Sequence, residues 1–168
     1  MSNERPDYES GVGSKDRMEL RVWLRLLTCT NLLEHGVRNR LKQTADTTLP
    51  RFDILAQLER QDGPMSMGDL SRRLMVSNGN ITGLIDRLAR EGLVARAASP
   101  NDRRVQMVSL TDKGAAFFKE TADHHRAWVG EMMAGLSAEE MKGLHALLAK
   151  LKESILAAEK DNRLEAAE

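Results

Sequence analysis

The spacing of apolar positions predicts a mostly helical chain with one β-hairpin. Over residues 16–46 no proline intervenes, and Leu20, Trp23 and Leu27 step at helical spacing. Val37 and Leu41 resume that stripe after a polar gap at Asn31 and Glu34. Val22, Leu26, Cys29 and Leu33 form a second stripe beside it, so the apolar face of this long helix is too wide for one partner. Thr48 is expected to cap a shorter helix with Pro50 in its first turn, where a missing N–H costs little, and with Phe52, Leu55 and Leu58 facing inward. Gln61-Asp62-Gly63-Pro64 ends it in a turn. Ser66, followed three residues later by Asp69, opens a short helix over 66–75. Ser77 then caps a helix reaching about Glu91, in which Ile81, Leu84, Ile85 and Leu88 recur at i, i+3, i+4 and i+7.

Past Gly92 the period changes. Residues 93–97 are expected to form one strand, and Ser99-Pro100-Asn101 makes a turn. Val105, Met107 and Ser109 alternate with Gln106, Val108 and Leu110, the period of a second strand. Asp102, Arg103 and Arg104 sit at the tip of this hairpin. Thr111 caps the next helix, which runs to about Ala134 and carries Phe117, Phe118, Trp128, Met132 and Met133. Ser137-Ala138-Glu139-Glu140 has capping-box spacing and opens a last helix. In it Met141, Leu144, Leu148, Leu151 and Ile155 form a seam like that of a coiled coil. Such a stripe commonly packs on its own chain. Here the first and last helices show more apolar face than one small domain covers, which predicts a homodimer.

Composition narrows the partners. A chain of 168 residues is one ordinary domain in size, and 25 basic against 25 acidic residues give no global basic signal. Between Met65 and Lys113, however, eight Lys and Arg face five Asp and Glu, a local surplus of three positive charges. A lone cysteine, Cys29, forms no internal disulfide and fits a reducing cytoplasm; it is expected to be buried among Leu26, Leu32 and Leu33, with Arg25 the one obvious cation nearby. No apolar run reaches the roughly 18 residues of a membrane span, and residues 1–15 lack the apolar core of a signal peptide. Gly11-Val12-Gly13-Ser14-Lys15 lacks phosphate-loop spacing. His124 and His125 point about 100° apart on a helix, with His35 and His145 distant in sequence, so no metal site is expected. No nucleophile–base constellation stands out and no cofactor is expected; the chain reads as a non-enzyme.

A helix with a packed inner stripe leaves its outer face for the major groove of DNA. That face carries Thr82, Gly83, Asp86 and Arg87, flanked by Asn80, with Ser77 and Asn78 at the end where free N–H groups bind phosphate. Gly79 and Gly83 each cost about 1 kcal/mol relative to Ala in a helix, which is explained either by close approach to DNA or by tolerated drift. At the hairpin tip Arg104 is placed for the minor groove, with Asp102 holding its guanidinium and Arg103 on phosphate. Arg72 and Arg73, on the supporting helix, meet phosphate or form surface ion pairs.

Leu70-Ser71-Arg72-Arg73-Leu74, Ile81-Thr82-Gly83-Leu84-Ile85-Asp86-Arg87-Leu88, Glu91-Gly92-Leu93-Val94 and the string from Asp102 to Gly114 together resemble the MarR family of bacterial winged-helix regulators. The resemblance implies an α+β fold, mainly helical with a small β-hairpin wing. A winged helix-turn-helix domain over 48–112 is flanked by a dimerisation helix over 16–47 and C-terminal dimerisation helices over 113–158, between a disordered tail over 1–15 and an acidic tail over 159–168. It also implies an obligate homodimer on a pseudo-palindromic double-stranded operator, half-sites about 34–36 Å apart, and a pocket for small aromatic acids between the dimer helices and the winged domain. His35, Arg38, Arg40, Arg51 and Phe52 are the expected ligand residues, a set suited to an aromatic carboxylate or its coenzyme A thioester. The expected function is a cytoplasmic repressor released by such a ligand. The alternatives are a winged protein-interaction module without DNA and a redox- or metal-responsive regulator.

Overall fold

The structure, a computed structural model, describes residue 8 and residues 17–61, 63–102 and 104–165. The expected tail over 1–15 (except Tyr8) and the wing residue Arg103 lie outside the described residues. The chain divides into two compact units, Met1–Val129 and Gly130–Glu168. The first contains α1 (Met18–Ala45), α2 (Leu49–Arg60), β1 (Met65–Ser66), α3 (Met67–Leu74), α4 (Asn78–Arg90), β2 (Val94–Ala98), β3 (Gln106–Leu110) and most of α5 (Asp112–Met132). The second holds the end of α5 and α6 (Ala138–Glu165).

The core of the first unit is built from the stripes that the spacing marked. Ile54, Leu55 and Leu58 of α2, Leu70 of α3, and Ile81, Ile85 and Leu88 of α4 close around Met65, Leu93, Val94 and Val108. Capping fixes where the helices begin. The Ser66 hydroxyl accepts from the Asp69 N–H at 3.1 Å and donates to the Asp69 carboxylate at 2.6 Å. That hydroxyl bond, with Arg72 nearby, holds the Asp69 carboxyl below its ordinary range. Ser77 accepts from the Asn80 N–H at 3.4 Å. Thr48 is a correction: it stands at the N-cap of α2 in extended geometry, but its side chain makes no capping bond. Its carbonyl receives the Arg51 and Phe52 N–H groups instead.

The β structure has one more strand than the periodicity predicts. β1 pairs antiparallel with β3 (Met65 opposite Val108, Ser66 opposite Met107), giving the sheet order β1-β3-β2. Two residues are too few to show a period of two, and β1 exists because β3 offers it an edge. β2 and β3 form the hairpin itself, from Val94 opposite Leu110 to Ala98 opposite Gln106. Val105 precedes β3, and its carbonyl accepts from the Ser99 N–H at 2.9 Å to close the loop.

A tight joint connects α4, β2 and α5. Gly92, at φ +72°, ends α4 in the left-handed conformation that glycine adopts without penalty. The Thr111 hydroxyl donates to the Gly92 carbonyl at 2.7 Å and accepts from the Gly114 N–H at 3.0 Å, so one side chain both caps α5 and holds the turn. The Thr111 N–H reaches the Leu93 carbonyl at 3.2 Å. Gly114 is required by closeness: a Cβ there would lie 1.9 Å from the Leu93 carbonyl oxygen.

One reading of the long helices is corrected, and the last helix is longer than its apolar seam. On α1, Thr28, Val37 and Leu41 are buried while Cys29 is exposed. One residue is a rotation of about 100°, which turns the thiol out when Thr28 faces in. α6 continues through Glu165, past Glu159 where the acidic tail was expected to begin. Charge alone does not break a helix, and no glycine or proline interrupts 159–165. At its start the capping box is reciprocal: the Ser137 N–H donates to the Glu140 carboxylate at 2.8 Å, and the Glu140 N–H to the Ser137 hydroxyl at 3.3 Å. None of the described helices is long and apolar enough to cross a membrane.

Candidate nucleic-acid interface

With Ile81, Ile85 and Leu88 fully buried, α4 has one orientation, and Asn80, Thr82, Gly83, Asp86 and Arg87 are exposed on its outer side. Ser77 caps the helix N-terminus and Asn78 is its first residue. A Cβ added at Gly79 or Gly83 would meet nothing within 4 Å. Packing inside the chain therefore does not require glycine at either position. A close approach from outside would.

The wing is tied to α4 by an ion pair between Arg96 of β2 and Asp86. Arg104, at the hairpin tip, and Thr82 border the same concavity of about 420 Å³, together with Arg96 and Ser66. The expected Asp102–Arg104 side-chain pair is absent. The Asp102 carboxylate instead accepts from the Arg104 backbone N–H at 2.9 Å. A short acid two residues before an open N–H closes a local turn more readily than it reaches a long guanidinium. Asp102 thus shapes the loop and leaves the Arg104 guanidinium uncommitted. Among the described residues, the Arg104 and Arg87 side chains form no ion pair. Arg72 pairs with Asp69 one turn earlier, and Arg73 donates to the Gln61 side chain at 3.1 Å, so both are engaged within the chain.

The expected ligand residues do not converge. His35 bonds Asn39 at 3.0 Å and Arg38 pairs with Glu34 at 2.7 Å, both on exposed turns of α1. Arg40, half-buried on the same helix, is engaged in an interaction of its own. Phe52 is a core residue, its ring 5.5 Å from Phe118 and 4.8 Å from the His125 imidazole. Helical spacing explains this: residues 35, 38, 51 and 52 were grouped by nearness in sequence, but α1 and α2 present them in different directions. Burial holds His125 below its ordinary pKa, favouring the neutral ring on Phe52.

Only Arg51 of that set borders a cleft of about 370 Å³, where it meets Asp46, Glu91, Leu93, Lys113 and Phe117. Arg51 forms an ion pair with Glu91, and its side chain is only 15 % exposed. Glu91 and Lys113, which border this cleft, are not among the residues expected from the sequence. One signal was present: Glu91 stands at the C-cap of α4, where the helix dipole disfavours an acid without a cation beside it.

The three-helix core, the outward α4 and the β2–β3 wing together define a winged helix-turn-helix protein. The MarR family model matches residues 47–105. The chain is 34 % identical over 152 residues to the transcriptional activatory protein BadR of Rhodopseudomonas palustris, spanning 88 % of this chain and 86 % of that one. A MarR family transcriptional regulator from Silicibacter pomeroyi superposes with a TM-score of 0.72 at 30 % identity, covering 86 % and 99 % of the two chains. A mutant of MarR from E. coli, complexed with operator DNA, superposes with a TM-score of 0.70 at 27 % identity, covering 81 % and 99 %. The chain belongs to the MarR family of transcriptional regulators. It is a regulator rather than an enzyme.

Proposed function

We propose that this chain is a cytoplasmic, homodimeric, ligand-responsive repressor that sets α4 into the major groove and its wing into the minor groove of a pseudo-palindromic operator. The observation that carries the reading is the pair of exposed guanidinium groups, Arg87 on α4 and Arg104 on the wing, held by one compact unit and without an ion pair among the described residues. Asn80, Thr82 and Gly83 meet base edges, with the two glycines admitting close approach. Ser77 and Asn78 lie at the helix end suited to phosphate, and Arg72 and Arg73 exchange their surface partners for backbone contacts. Arg103 meets phosphate beside Arg104. A small aromatic acid or its coenzyme A thioester shifts the population of dimers away from the spacing that fits two half-sites.

Titration of the protein's own upstream DNA in a salt series, read by fluorescence anisotropy, tests this. Sequence-preferring binding that weakens steeply with salt is expected, because phosphate contacts release counterions. A salt-insensitive or absent interaction sinks the DNA reading and favours a protein-interaction module. Activation is the second reading, favoured by the name of the relative BadR. In vitro transcription from the same DNA separates the two: repression lowers the transcript on adding protein, and activation raises it.

A further inference from the structure

The wing is anchored at its base and open toward its tip. Val94 and Val108 belong to the buried core, and the Thr111 hydroxyl, after β3, holds the Gly92 carbonyl at the end of α4. Farther out the anchorage changes character. Side chains two apart on a strand share a face, so Arg96 of β2 lies on the same side as Val94, opposite Val108 in the pairing. An arginine stands there instead of an apolar residue, and its guanidinium meets the Asp86 carboxylate of α4. Beyond this rung the hairpin and the helix part, and Thr82, Arg104, Val105 and Gln106 border the open concavity of about 420 Å³. Arg104 precedes Val108 by four residues, a reach of about 13 Å at the strand rise of about 3.3 Å per residue. Turning the wing by about 10° at Arg96 therefore moves its tip by about 2 Å, enough to lose a hydrogen bond.

Stability does not account for this pair. The Arg96 and Asp86 side chains are 33 % and 49 % exposed, and ion pairs this wet contribute little to folding. Asp86 also puts a negative charge on the outer side of α4, where it repels phosphate. We propose that Asp86 and Arg96 are positioning residues for two-groove recognition: the pair latches the wing to α4 and so sets the distance between Arg104 and the outer face of the helix. The assignment rests on the DNA-binding reading above and deepens it. Asp86 acts through Arg96 on the placement of Arg104, and a general repulsion is offset by a fixed geometry.

Asp86→Asn, Arg96→Gln, Arg104→Ala and their combinations test this on upstream DNA by fluorescence anisotropy, with thermal melts to establish folding. Charge alone predicts that Asp86→Asn binds DNA more tightly. The latch predicts the opposite: affinity falls about tenfold, as for loss of Arg104 itself, while Tm hardly moves. Adding Arg104→Ala to Asp86→Asn then weakens binding by at most about twofold more, because a misplaced arginine has little left to lose. Tighter binding by Asp86→Asn overturns the proposal. Losses from Asp86→Asn and Arg104→Ala that multiply in full also overturn it, since Asp86 would then meet a base by itself. So does a loss confined to Arg96→Gln, the mark of a direct phosphate contact. A readout without DNA separates the latch from the broader reading. In a Cys29→Ser chain with a nitroxide attached to Ser99→Cys on the wing, Asp86→Asn and Arg96→Gln are expected to narrow the electron paramagnetic resonance lines, reporting a freer wing. Unchanged lines overturn the proposal whatever the DNA result. Narrowed lines in a chain that binds no DNA uphold the latch and sink the DNA-binding reading.

Discussion

Helices α4 and α6 carry the same spacing of apolar residues with opposite outcomes. On α4, Ile81, Ile85 and Leu88 are wholly buried beneath the wing and α2. On α6, Leu144, Leu148 and Ile155 are 39 %, 41 % and 51 % exposed. Leaving such a seam partly in water forfeits a share of the roughly 1.5–3 kcal/mol that full burial of each Leu or Ile would gain. A helix that keeps a long apolar seam exposed within one chain is built for another surface. In a protein of this family, a second copy is the reading we favour. α4 thus contributes stability to the monomer, whereas the proposed dimer draws on α6.

The comparison can be broken by making the same kind of change in both helices. Ile85→Ala removes a fully buried side chain and is expected to lower unfolding free energy by about 2–5 kcal/mol in urea denaturation, whatever the protein concentration. Leu148→Asp places a charge in the α6 seam. It is expected to shift sedimentation toward monomer and to abolish the dependence of Tm on protein concentration, a term of about 2.7 kcal/mol at 100 times the dissociation constant. A concentration-independent loss from Leu148→Asp as large as that from Ile85→Ala would show that α6 packs within its own chain. Arg104→Ala should leave both stability and association unchanged. Its effect is on DNA: affinity falls by about 1–3 kcal/mol, or the salt slope drops by about 1 if the contact is to phosphate.

The smallest expected effect concerns charge at the edge of the buried region. Asp53 of α2 has its pKa raised by burial first and by the Glu34 charge second, against the opposing influence of Arg38 and Arg60. A raised carboxyl pKa means that the folded chain holds the proton more tightly than the unfolded one. The stabilisation is therefore fully present below the unfolded value, near 3.8, and is lost as pH rises through the folded value. Asp53→Asn is expected to raise Tm modestly at pH 7 and to leave it unchanged at pH 3. A drop at pH 7 would mean that the ionised carboxylate makes a favourable contact. His125 has the opposite sign of shift and contributes above its unfolded pKa of about 6.5, losing that contribution as pH falls below it.

Local chemistry was well marked in the chain. Ser66, Ser77, Thr111 and Ser137 each cap the helix that their spacing announced, because a capping bond spans only three residues. The α4 stripe was legible for the same reason: its period is a property of the helix itself. Contacts made across the fold were harder to read. β1 depends on an edge supplied by β3, and Asp102 chose a backbone N–H over the neighbouring guanidinium. The expected ligand set grouped residues by adjacency, whereas the cleft draws Arg51 from α2, Glu91 from the end of α4 and Lys113 from α5.

By itself, then, the sequence determined the order of helices, their caps, the arginine-tipped hairpin and the outward face of α4. Each follows from interactions within a turn or two of chain. The tertiary structure decided which apolar faces are covered, which arginines are already paired, and where Arg51, Glu91 and Lys113 converge. Those outcomes depend on the angles at which separate elements pack, and Gly114 against the Leu93 carbonyl is a measure of how closely one such angle is set.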